Sequence, residues 1–442
     1  MTSYIVAGLG FGDEGKGSIV DFLAESTGIK NDIRYNGGHQ AAHYVRRNKV
    51  LHCFSQFGSS TLIPNTKTIL SKYMLIEPYA LNIESNVLST NGIHNPFSRL
   101  YIDEKCLVVT PMHKLVNQMR EILNRNGSCG LGVGETILDN SRFDNSLKAE
   151  DIIDVDITCN KLRYLLSVKT DHAEQILLED PFNIDLQKKY DIIKKINVDD
   201  ISNDYFDISN KINIDSTDHF YSEPSIYEGA QGVLLDMDYG FHPCVTKTKT
   251  TFDNAIQLCK TPYKKIGVMR PYLTRHGNGP FPTEDDTLGM IIPDTHNIYN
   301  EWQGKFRIGW QDLLLMKYAI SISGKPDYIA ITNIDKIEMI DKIKLCISYE
   351  YKQNQINIDN LFDYDRKGNQ YILNGFKKGF ANIGRSRSKV INCVLNNCKP
   401  IYKMFDDYID YCKFLESDEG IGVPIGIMSF GMEAKDKVSL ME

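Results

Sequence analysis

A glycine-rich loop at residues 10–17 constrains the fold more than any other feature of this sequence. It reads Gly-Phe-Gly-Asp-Glu-Gly-Lys-Gly and has the G-x-x-x-x-G-K spacing of a phosphate-binding loop. The apolar run Tyr4–Leu9 before it is typical of a buried strand, and Ser18–Glu25 after it is typical of an amphipathic helix. This order predicts backbone N–H groups that face a phosphate at a helix N-terminus, with Lys16 adding a point charge.

The loop differs from an ordinary phosphate-binding loop at two positions. Gly17 stands where such loops carry the Ser or Thr hydroxyl that binds magnesium, and the carboxylate of Asp13 lies inside the loop. A carboxylate next to bare phosphate is unfavourable. We therefore expect Asp13 to hold Mg²⁺, or to accept a proton from a group beside the γ-phosphate.

Strand-like runs alternate with helical stretches along the chain. This alternation predicts an α/β fold, in which a mostly parallel central sheet builds one large catalytic domain over residues 1–442. Residues of about 111–220 are predicted to form a peripheral helical subdomain, because 185–216 are rich in Lys, Asp, Asn and Ile and carry no catalytic-looking motif. The predicted strands include Tyr4–Leu9, Ser225–Tyr227, Ile266–Met269, Tyr328–Thr332 and Ile343–Tyr349, and the predicted helices include Pro111–Arg125 and Gln311–Ser321.

Composition excludes several classes of protein. Of the 442 residues, 42% are hydrophobic and 24% are charged, which is ordinary for a soluble globular protein. The net charge of -7 provides no general basic surface, so we expect no nucleic-acid partner. Ten scattered cysteines without a histidine cluster indicate reduced thiols in the cytoplasm. The sequence shows no secretory signal and no apolar run of about 18 residues, so no membrane association is expected.

Five motifs, in order along the chain, carry a resemblance to a known family. Their order from the first strand to about Gly431 makes a chance match improbable, and the chain resembles the adenylosuccinate synthetases over nearly its whole length. The motifs are Gly8–Gly17, Arg34–His43 (RYNGGHQAAH), Tyr227–Asp236 (YEGAQGVLLD), Tyr272–Glu284 (YLTRHGNGPFPTE) and Ile331–Asp335 (ITNID).

The resemblance implies a ligase of purine biosynthesis that joins L-aspartate to the 6-oxopurine nucleotide IMP, with GTP as co-substrate. Asp13 would remove the N1 proton, and the 6-oxygen would attack the γ-phosphate to give a 6-phosphoryl intermediate that aspartate displaces. His43 would donate to the transferring phosphoryl group, with Lys16 and Gln231 completing the catalytic set. Asp13 and the carbonyl of Ala42 would hold Mg²⁺. The family works as a homodimer, in which one subunit completes the nucleotide site of the other.

The resemblance also implies binding residues. Lys305 and Arg307 match two basic positions of the family's amino-acid-binding loop. The residues expected to contact the nucleotides or their phosphates are Gly12, Gly15, Gly17, Gln40, Cys129, Gly130, Arg142, Thr246, Arg307, Asn333, Asp335, Ser429 and Gly431.

The amino-acid-binding loop departs from the family pattern. The family's T-T-G-R-x-R-R is here E-W-Q-G-K-F-R at residues 301–307, so the threonine pair is absent and Lys305 replaces an arginine. A guanidinium grips a carboxylate with two parallel hydrogen bonds, whereas an ammonium does not. The identity of the amino acid therefore stays open.

Two predicted nucleotide-binding segments also differ from the family pattern. The family's T-K-x-D is T-N-I-D at 332–335, which keeps Asp335 as an acceptor for guanine but lacks the lysine, so GTP is favoured with ATP as the alternative. In a second segment that matches a phosphate-binding loop of the family, residues 129–135, Cys129 replaces a threonine and Glu135 replaces a proline. Arg142 lies one position short of the family arginine that reaches across the dimer.

Two alternatives remain open from the sequence. The first keeps the mechanism and changes a substrate to GMP or dGMP, to ATP, or to another amino acid. Phage relatives that use a guanine nucleotide alter the loop aspartate, so Asp13 favours IMP. The second is a catalytically weak paralogue that binds purine nucleotides. Intact Asp13, Lys16, His43 and Gln231 favour an enzyme, since a pure binder needs neither a base nor a donor at the phosphoryl site.

Overall fold

Two large sheets contain most of the strands. The computed structural model describes residues 2–142, 145–292, 294, 297, 301–352, 356–377 and 384–441. The strands within these residues are β1 (Ser3–Gly8), β2 (Asn31–Arg34), β3 (His43–Arg47), β4 (Val50–Phe54), β5 (Lys67–Leu70), β6 (Leu75–Ile76), β7 (Leu100–Asp103), β8 (Leu107–Val108), β9 (Asn213–Asp215), β10 (Ser225–Gly232), β11 (Tyr263–Met269), β12 (Tyr272–His276), β13 (Phe306–Asp312), β14 (Tyr328–Ile331), β15 (Ile343–Lys352), β16 (Phe362–Lys367), β17 (Gln370–Phe376), β18 (Lys399–Phe405), β19 (Ile425–Ser429) and β20 (Lys437–Ser439).

The helices alternate with the strands in the first half of the central sheet and cluster between β8 and β9. They are α1 (Lys16–Thr27), α2 (Pro78–Thr90), α3 (Pro111–Asn124), α4 (Val133–Arg142), α5 (Val155–Glu179), α6 (Ile184–Lys194), α7 (Val198–Ser209), α8 (Asp253–Leu258), α9 (Asp286–Ile291), α10 (Leu313–Ser323), α11 (Ile334–Ile337), α12 (Gly384–Asn397) and α13 (Tyr408–Glu416).

The central sheet has ten strands in the order β20-β19-β14-β11-β1-β10-β2-β5-β7-β9. Every neighbouring pair is parallel except β19 and β20. β1 lies between β10 and β11, and its apolar side chains Ile5 and Val6 are fully buried. Parallel strands read as continuous apolar runs because both of their faces are covered. The predicted α/β fold with a mostly parallel central sheet is confirmed.

The second sheet delivers further residues to the same region. Its order is β12-β13-β15-β17-β16, and β18 pairs with β15. Only residues 270–271 separate the carboxyl end of β11 from β12. Open α/β sheets bind ligands outside the carboxyl ends of their strands. β12 therefore starts at the position in the fold where a ligand is expected.

One predicted helix begins two residues later than expected. Gln311 and Asp312 belong to β13, and α10 starts at Leu313. The carboxylate of Asp312 accepts hydrogen bonds from the N–H groups of Leu314 (3.0 Å) and Leu315 (3.1 Å), so it caps the helix. The prediction of Gln311–Ser321 was therefore wrong at its start, because periodicity alone does not locate a cap.

Helices α3 to α7 pack against one another beside the central sheet, with α5 contacting α3, α6 and α7. Their shared apolar core includes Val116, Met119, Ala173, Ile176 and Leu186. The helices expected between residues 111 and 220 are thus present, while their status as a subdomain stays a prediction. None of the helices described is both long and apolar enough to cross a membrane.

Candidate active site

The loop between β1 and α1 folds around its own glutamate. The carboxylate of Glu14 accepts hydrogen bonds from the N–H groups of Gly10 (3.0 Å) and Gly12 (2.8 Å), and from Nζ of Lys16 (2.7 Å). Gly12 and Gly15 adopt φ angles of 97° and 89°, which turn the backbone inward and favour glycine. Backbone donors and a lysine therefore converge on a carboxylate of the chain itself, whereas the sequence predicted that they face a phosphate. The sequence pattern did not single out Glu14 as that carboxylate.

The missing hydroxyl at position 17 has a steric cause. A Cβ on Gly17 would lie 2.7 Å from Oγ of Ser59 and 2.8 Å from Cβ of His43. A Ser or Thr would therefore require β3, which starts at His43, to move away. The same close approach places His43 at the N-terminus of α1. The structure thus brings His43 and Lys16, two predicted catalytic residues, to one helix end.

Asp13 contacts His276, the last residue of β12. Oδ2 of Asp13 lies 2.9 Å from Nε2 of His276, and the two side chains are 24% and 23% exposed. Burial by itself would raise the pKa of Asp13, but the hydrogen bond and charge of His276, and then the charges of Arg270 and Lys16, lower that pKa to about 2. The carboxylate is therefore ionised at neutral pH. His276 was not predicted as a site residue, although its segment Tyr272–Glu284 was recognised.

His43 forms a buried pair with Glu228 of β10. Nδ1 of His43 is hydrogen-bonded to the carboxylate of Glu228, which also accepts from the N–H group of Ser59 (2.9 Å) and from its hydroxyl. Burial lowers the pKa of His43 and Glu228 opposes this change. Because the carboxylate fixes the proton on Nδ1, Nε2 is the nitrogen left for a ligand. It donates to a phosphoryl group only when the ring is protonated.

We expect Glu228→Gln to lower kcat about 10–100-fold, the usual range when the partner that orients a functional histidine is lost. Glutamine keeps the shape of the side chain, but its amide can donate to Nδ1 and so select the wrong tautomer. Steady-state kinetics with the substrates that the resemblance implies, GTP, IMP and L-aspartate, measures the effect. Ser59→Ala, which removes one neutral hydrogen bond to the same carboxylate, is the control and should lose much less. An unchanged kcat in Glu228→Gln would contradict this role.

The buried polar side-chain atoms that have no hydrogen-bond partner among the described residues include four in or beside these motifs. A Cβ on Gly37 would lie 3.2 Å from Oε1 of Gln231, and one on the adjacent Gly38 would lie 3.0 Å from Oε1 of Gln40, so both amides lie against the glycine pair at 37–38. Unsatisfied buried polar groups are costly, so a bound ligand or ordered water is expected to supply the partners of these atoms. The four atoms are Oε1 of Gln40, Oε1 of Gln231, Nδ1 of His39 and Nε of Arg270.

The predicted base-recognition element contacts the phosphate loop. The hydroxyl of Thr332 donates to the carbonyl oxygen of Glu14 (2.5 Å), directly after β14. Asn333 adopts a left-handed φ of 59°, and its amide donates to the hydroxyl of Tyr272 (3.0 Å). Asp335 lies in the first turn of α11, and its side chain is one-third exposed. Its carboxylate is thus accessible next to the loop.

Two more predicted nucleotide-binding residues follow the neighbouring strand. Ser429 ends β19, which pairs with β14, and its hydroxyl donates to the carbonyl oxygen of Gly431 (3.1 Å). Lys437 donates to the same carbonyl oxygen (3.3 Å). Burial lowers the pKa of Lys437 to about 8, against the opposing charges of Asp21, Asp436 and Asp335. Asp335, Ser429 and Gly431 therefore lie at or after the carboxyl ends of two adjacent strands, and their role in nucleotide binding stays a prediction.

The loop at 129–132 and the first turn of α4 contact two other predicted segments. A Cβ on Gly134 would lie 3.1 Å from the side chain of Lys247, which follows Thr246, and one on Gly130 would lie 2.8 Å from the ring of Trp302. Nζ of Lys189 lies 4.8 Å from the centre of the same ring. The structure thus brings together the loop of Cys129 and Gly130, the segment of Thr246, and the predicted amino-acid-binding segment.

Glu135, which replaces the family proline, belongs to a buried ion cluster. Nζ of Lys169 on α5 lies 3.3 Å from Glu135 and 2.8 Å from Asp139, and Asp139 is also 3.1 Å from Nε2 of His113. Nε of Arg120 lies 2.7 Å from Glu135. We call these five residues the Lys169 cluster. It ties α4 to α3 and α5, and so fixes the loop at 129–132 from its C-terminal side.

Both predicted amino-acid-binding cations are paired within the chain. Nζ of Lys305 lies 2.6 Å from Asp286 in an exposed pair. Arg307 donates to the carbonyl oxygens of Gly277 (3.2 Å) and Gly279 (2.9 Å), and to the carboxylate of Glu284 (2.6 Å). An amino-acid carboxylate would therefore have to exchange with carboxylates of the protein.

Arg142 and Ala42 are both exposed. Arg142 ends α4, and none of the contacts described places it beside the other predicted residues. Residues 143–144 lie outside the described part of the chain.

Within the described residues, no three His, Cys, Asp or Glu side chains gather as a metal cluster. Mg²⁺ typically takes one or two protein oxygens and completes its shell with phosphates and water. The ionised carboxylate of Asp13 and a carbonyl at Ala42 fit that pattern.

Comparisons with known proteins agree on one family. A family model described as adenylosuccinate synthetase matches residues 5–438. The adenylosuccinate synthetase of Francisella philomiragia is 32% identical over 373 residues, which cover 80% of this chain and 83% of that protein.

Two solved structures share the fold. The fully ligated adenylosuccinate synthetase from Plasmodium falciparum has a TM-score of 0.74 at 20% identity, covering 99% of this chain and 100% of that chain. The cyanophage S-2L succinoaminodeoxyadenylate synthetase, bound to dGMP and to dATP as an energy donor, has a TM-score of 0.57 at 14% identity, covering 99% and 95%.

Proposed function

The chain belongs to the adenylosuccinate synthetase family, and we propose that it is a GTP-dependent ligase that joins L-aspartate to IMP and forms adenylosuccinate. One observation carries the proposal: Asp13 lies in the loop that leads into α1, and His43 lies against Gly17 in the first turn of the same helix, beside Lys16. Phosphorylation of a lactam oxygen needs such a base and such a donor on either side of a phosphate loop. The ten free cysteines fit a reducing, cytoplasmic location.

Each catalytic residue has a separate role in the proposed reaction, which proceeds in two steps. Asp13 accepts the N1 proton of the purine, so that electron density moves to the 6-oxygen, which attacks the γ-phosphorus of GTP in line while GDP leaves. Lys16 and protonated His43 stabilise the charge that develops on the transferring group. The unsatisfied amide of Gln231 orients the base. The amine of aspartate then attacks carbon 6 and releases inorganic phosphate.

Asp13 and the carbonyl of Ala42 are the groups proposed to hold Mg²⁺. Bound Mg²⁺ neutralises charge on the phosphate oxygens and orients them for in-line transfer. The low pKa of Asp13 supports this role, because a cation requires the ionised carboxylate. Glu14 is paired with the buried Lys16, whereas Asp13 contacts His276 through Oδ2 and keeps Oδ1 for a ligand.

Lys305 and Arg307 are proposed to bind the carboxylates of the amino acid after releasing Asp286 and Glu284. Glu301 would repel a dicarboxylate if it turned toward the site, whereas Trp302 offers an apolar surface. We therefore expect a higher KM for L-aspartate than an unaltered loop would give.

The decisive experiment measures phosphate release and product formation by the full-length chain. GTP, IMP, Mg²⁺ and L-aspartate are supplied together and then omitted one at a time, and phosphate release is expected only from the complete mixture. A screen of twenty amino acids with IMP, GMP and dGMP, each with GTP or ATP, tests the changed-substrate alternative. Use of another amine or of a guanine nucleotide would establish that alternative. Nucleotide binding without phosphate release under any condition would instead identify a binding paralogue.

Asp335→Ala is expected to weaken GTP binding and to erode its preference over ATP. The substitution removes the acceptor for two guanine N–H donors, and a hydrogen bond to a charged group is worth roughly 1.5–3 kcal/mol. Calorimetric titration with each nucleotide measures the change, and Asp341→Ala, in the turn after α11, is a control. A wild-type protein that prefers ATP would contradict the assignment of Asp335 to guanine.

A homodimer with shared sites is also proposed, with Arg142 as the residue that reaches the partner's nucleotide. Arg142→Leu should raise the KM for IMP. Mixing Arg142→Leu with Asp13→Asn protein should restore part of the activity, because one of the two sites in a mixed dimer is intact. Sedimentation velocity of the active protein provides the independent check. A fully active monomer would refute the proposal.

A further inference from the structure

Alternate residues of β12 contact three separate parts of the active site. The hydroxyl of Tyr272 accepts from Asn333 (3.0 Å), the hydroxyl of Thr274 donates to the carbonyl oxygen of Gly12 (3.4 Å), and His276 contacts Asp13 (2.9 Å). Side chains two residues apart on a strand point to the same face. One face of β12 therefore runs along the site from the base-recognition element to Asp13.

The position of His276 is fixed by the sheet. β12 pairs with β13 in register, so His276 lies opposite Phe306, and the two ring centres are 5.0 Å apart. A strand residue with a paired backbone and a packed ring has little freedom to turn away. His276 thus presents Nε2 to Asp13 from a rigid element.

The carboxylate that His276 contacts has few other constraints. Asp13 has a left-handed φ of 60° in a loop, and its side chain is 24% exposed. His276 is the side chain described as hydrogen-bonded to this carboxylate. Arg270 and Lys16 act on the carboxylate through their charge. A donor on Oδ2 orients the plane of the carboxylate, and it leaves Oδ1 and the second lone pair of Oδ2 for the purine proton and for Mg²⁺.

We propose that His276 is a positioning residue for Asp13, whose hydrogen bond to Oδ2 holds Oδ1 toward the proton that is removed from the purine. The inference rests on the proposed function, since it assigns a direction to the same base. His276 does not take up the proton itself. It acts by keeping the base in the geometry that proton transfer requires.

Two substitutions separate orientation from packing. His276→Gln retains an N–H donor at nearly the position of Nε2, whereas His276→Leu fills similar space without a donor. We expect His276→Leu to lower kcat about 10–100-fold, as loss of an orienting partner does, with the KM for GTP changed less than about twofold. His276→Gln should recover most of kcat. His94→Leu, at an exposed histidine, is the control for removing an imidazole.

Each other outcome counts against the proposal. Wild-type or higher kcat in His276→Leu would show that the contact is neutral or restrains the base. Equal loss in the Leu and Gln variants, together with a lower thermal midpoint, would show that the ring is required for packing alone. The KM for GTP rising in parallel with the loss of kcat would place His276 in nucleotide binding instead.

A measurement without turnover distinguishes failure of this inference from failure of the proposed function. The ring nitrogens of the ¹⁵N-labelled protein are observed by NMR, and the Nε2 resonance of His276 is assigned from the His276→Gln spectrum. Asp13→Ala should shift this resonance strongly, because it removes the acceptor. An unshifted resonance would overturn the inference even if the enzyme is active. A shifted resonance in a protein that turns over no substrate would overturn the proposed function and leave the contact established.

Discussion

Asp13→Asn should reduce turnover by about 10²–10⁴-fold while leaving the fold intact, the range expected when a general base is removed. Asparagine has the same shape but neither accepts the N1 proton nor carries charge for Mg²⁺. The native carboxylate is strongly held in its ionised form, with a pKa of about 2, so the substitution removes a charge that is present throughout the working pH range. Single-turnover phosphate release with GTP, IMP and L-aspartate measures the effect.

The control for this variant is Asp363→Asn, which changes an exposed aspartate on β16 in the same chemical way. Circular dichroism and the thermal midpoint should match the wild type in both variants. Turnover of Asp13→Asn within a few-fold of the wild type would show that another group removes the proton, and would contradict the assigned mechanism.

Lys169→Met should lower the free energy of unfolding by about 3–5 kcal/mol, the usual loss when one partner of a buried ion pair is removed. The Lys169 side chain is fully buried, and its ammonium lies between the carboxylates of Glu135 and Asp139. Methionine fills similar volume, so the effect comes from two buried carboxylates that lose a shared cation rather than from a cavity. Denaturant unfolding followed by circular dichroism measures it.

Lys188→Met on α6 is the matched control, because it removes an ammonium whose pair with Asp185 is largely exposed. Exposed pairs contribute about 0–1 kcal/mol. Similar losses in the two variants would contradict a special role for the Lys169 cluster. A triple variant combines Lys169→Met with Glu135→Gln and Asp139→Asn. If this variant regains stability, the loss of unfolding free energy in Lys169→Met comes from unpaired buried charge.

The sequence predicted the parts of the site that are encoded locally. The strand, loop and helix around residues 10–17 are encoded by consecutive residues and could be predicted from them. Asp13, Lys16 and His43, which the sequence predicted as catalytic, lie close to one another at the start of α1. The partners were not predictable, because each comes from a distant part of the chain. Glu228 is 185 residues from His43, and His276 reaches Asp13 only because β12 crosses from the second sheet. A sequence pattern contains no information about that crossing.

The sequence also could not explain why particular residues occupy positions 17, 135 and 305. Gly17 appears in the sequence as the loss of a hydroxyl, whereas the structure shows that Ser59 and His43 occupy the space that a side chain would need. Glu135 appears as the loss of a proline, whereas it anchors α4 through Lys169. Lys305 matches a ligand-binding position, yet its ammonium contacts Asp286. In each case the pattern identified the position but not the neighbour.

The packing of Trp302 on Gly130 gives this chain a built-in optical probe. Indole emission responds to the polarity and motion of its surroundings, and the chain contains only two tryptophans. Trp310 is buried in β13, with its N–H group bonded to Asp285 (2.8 Å). Replacing Trp310 with Phe would leave a single emitter between the loop at 129–132 and the segment at 301–307. Ligand arrival at either loop would then be recorded as a change in intensity or wavelength, in real time and without an attached dye.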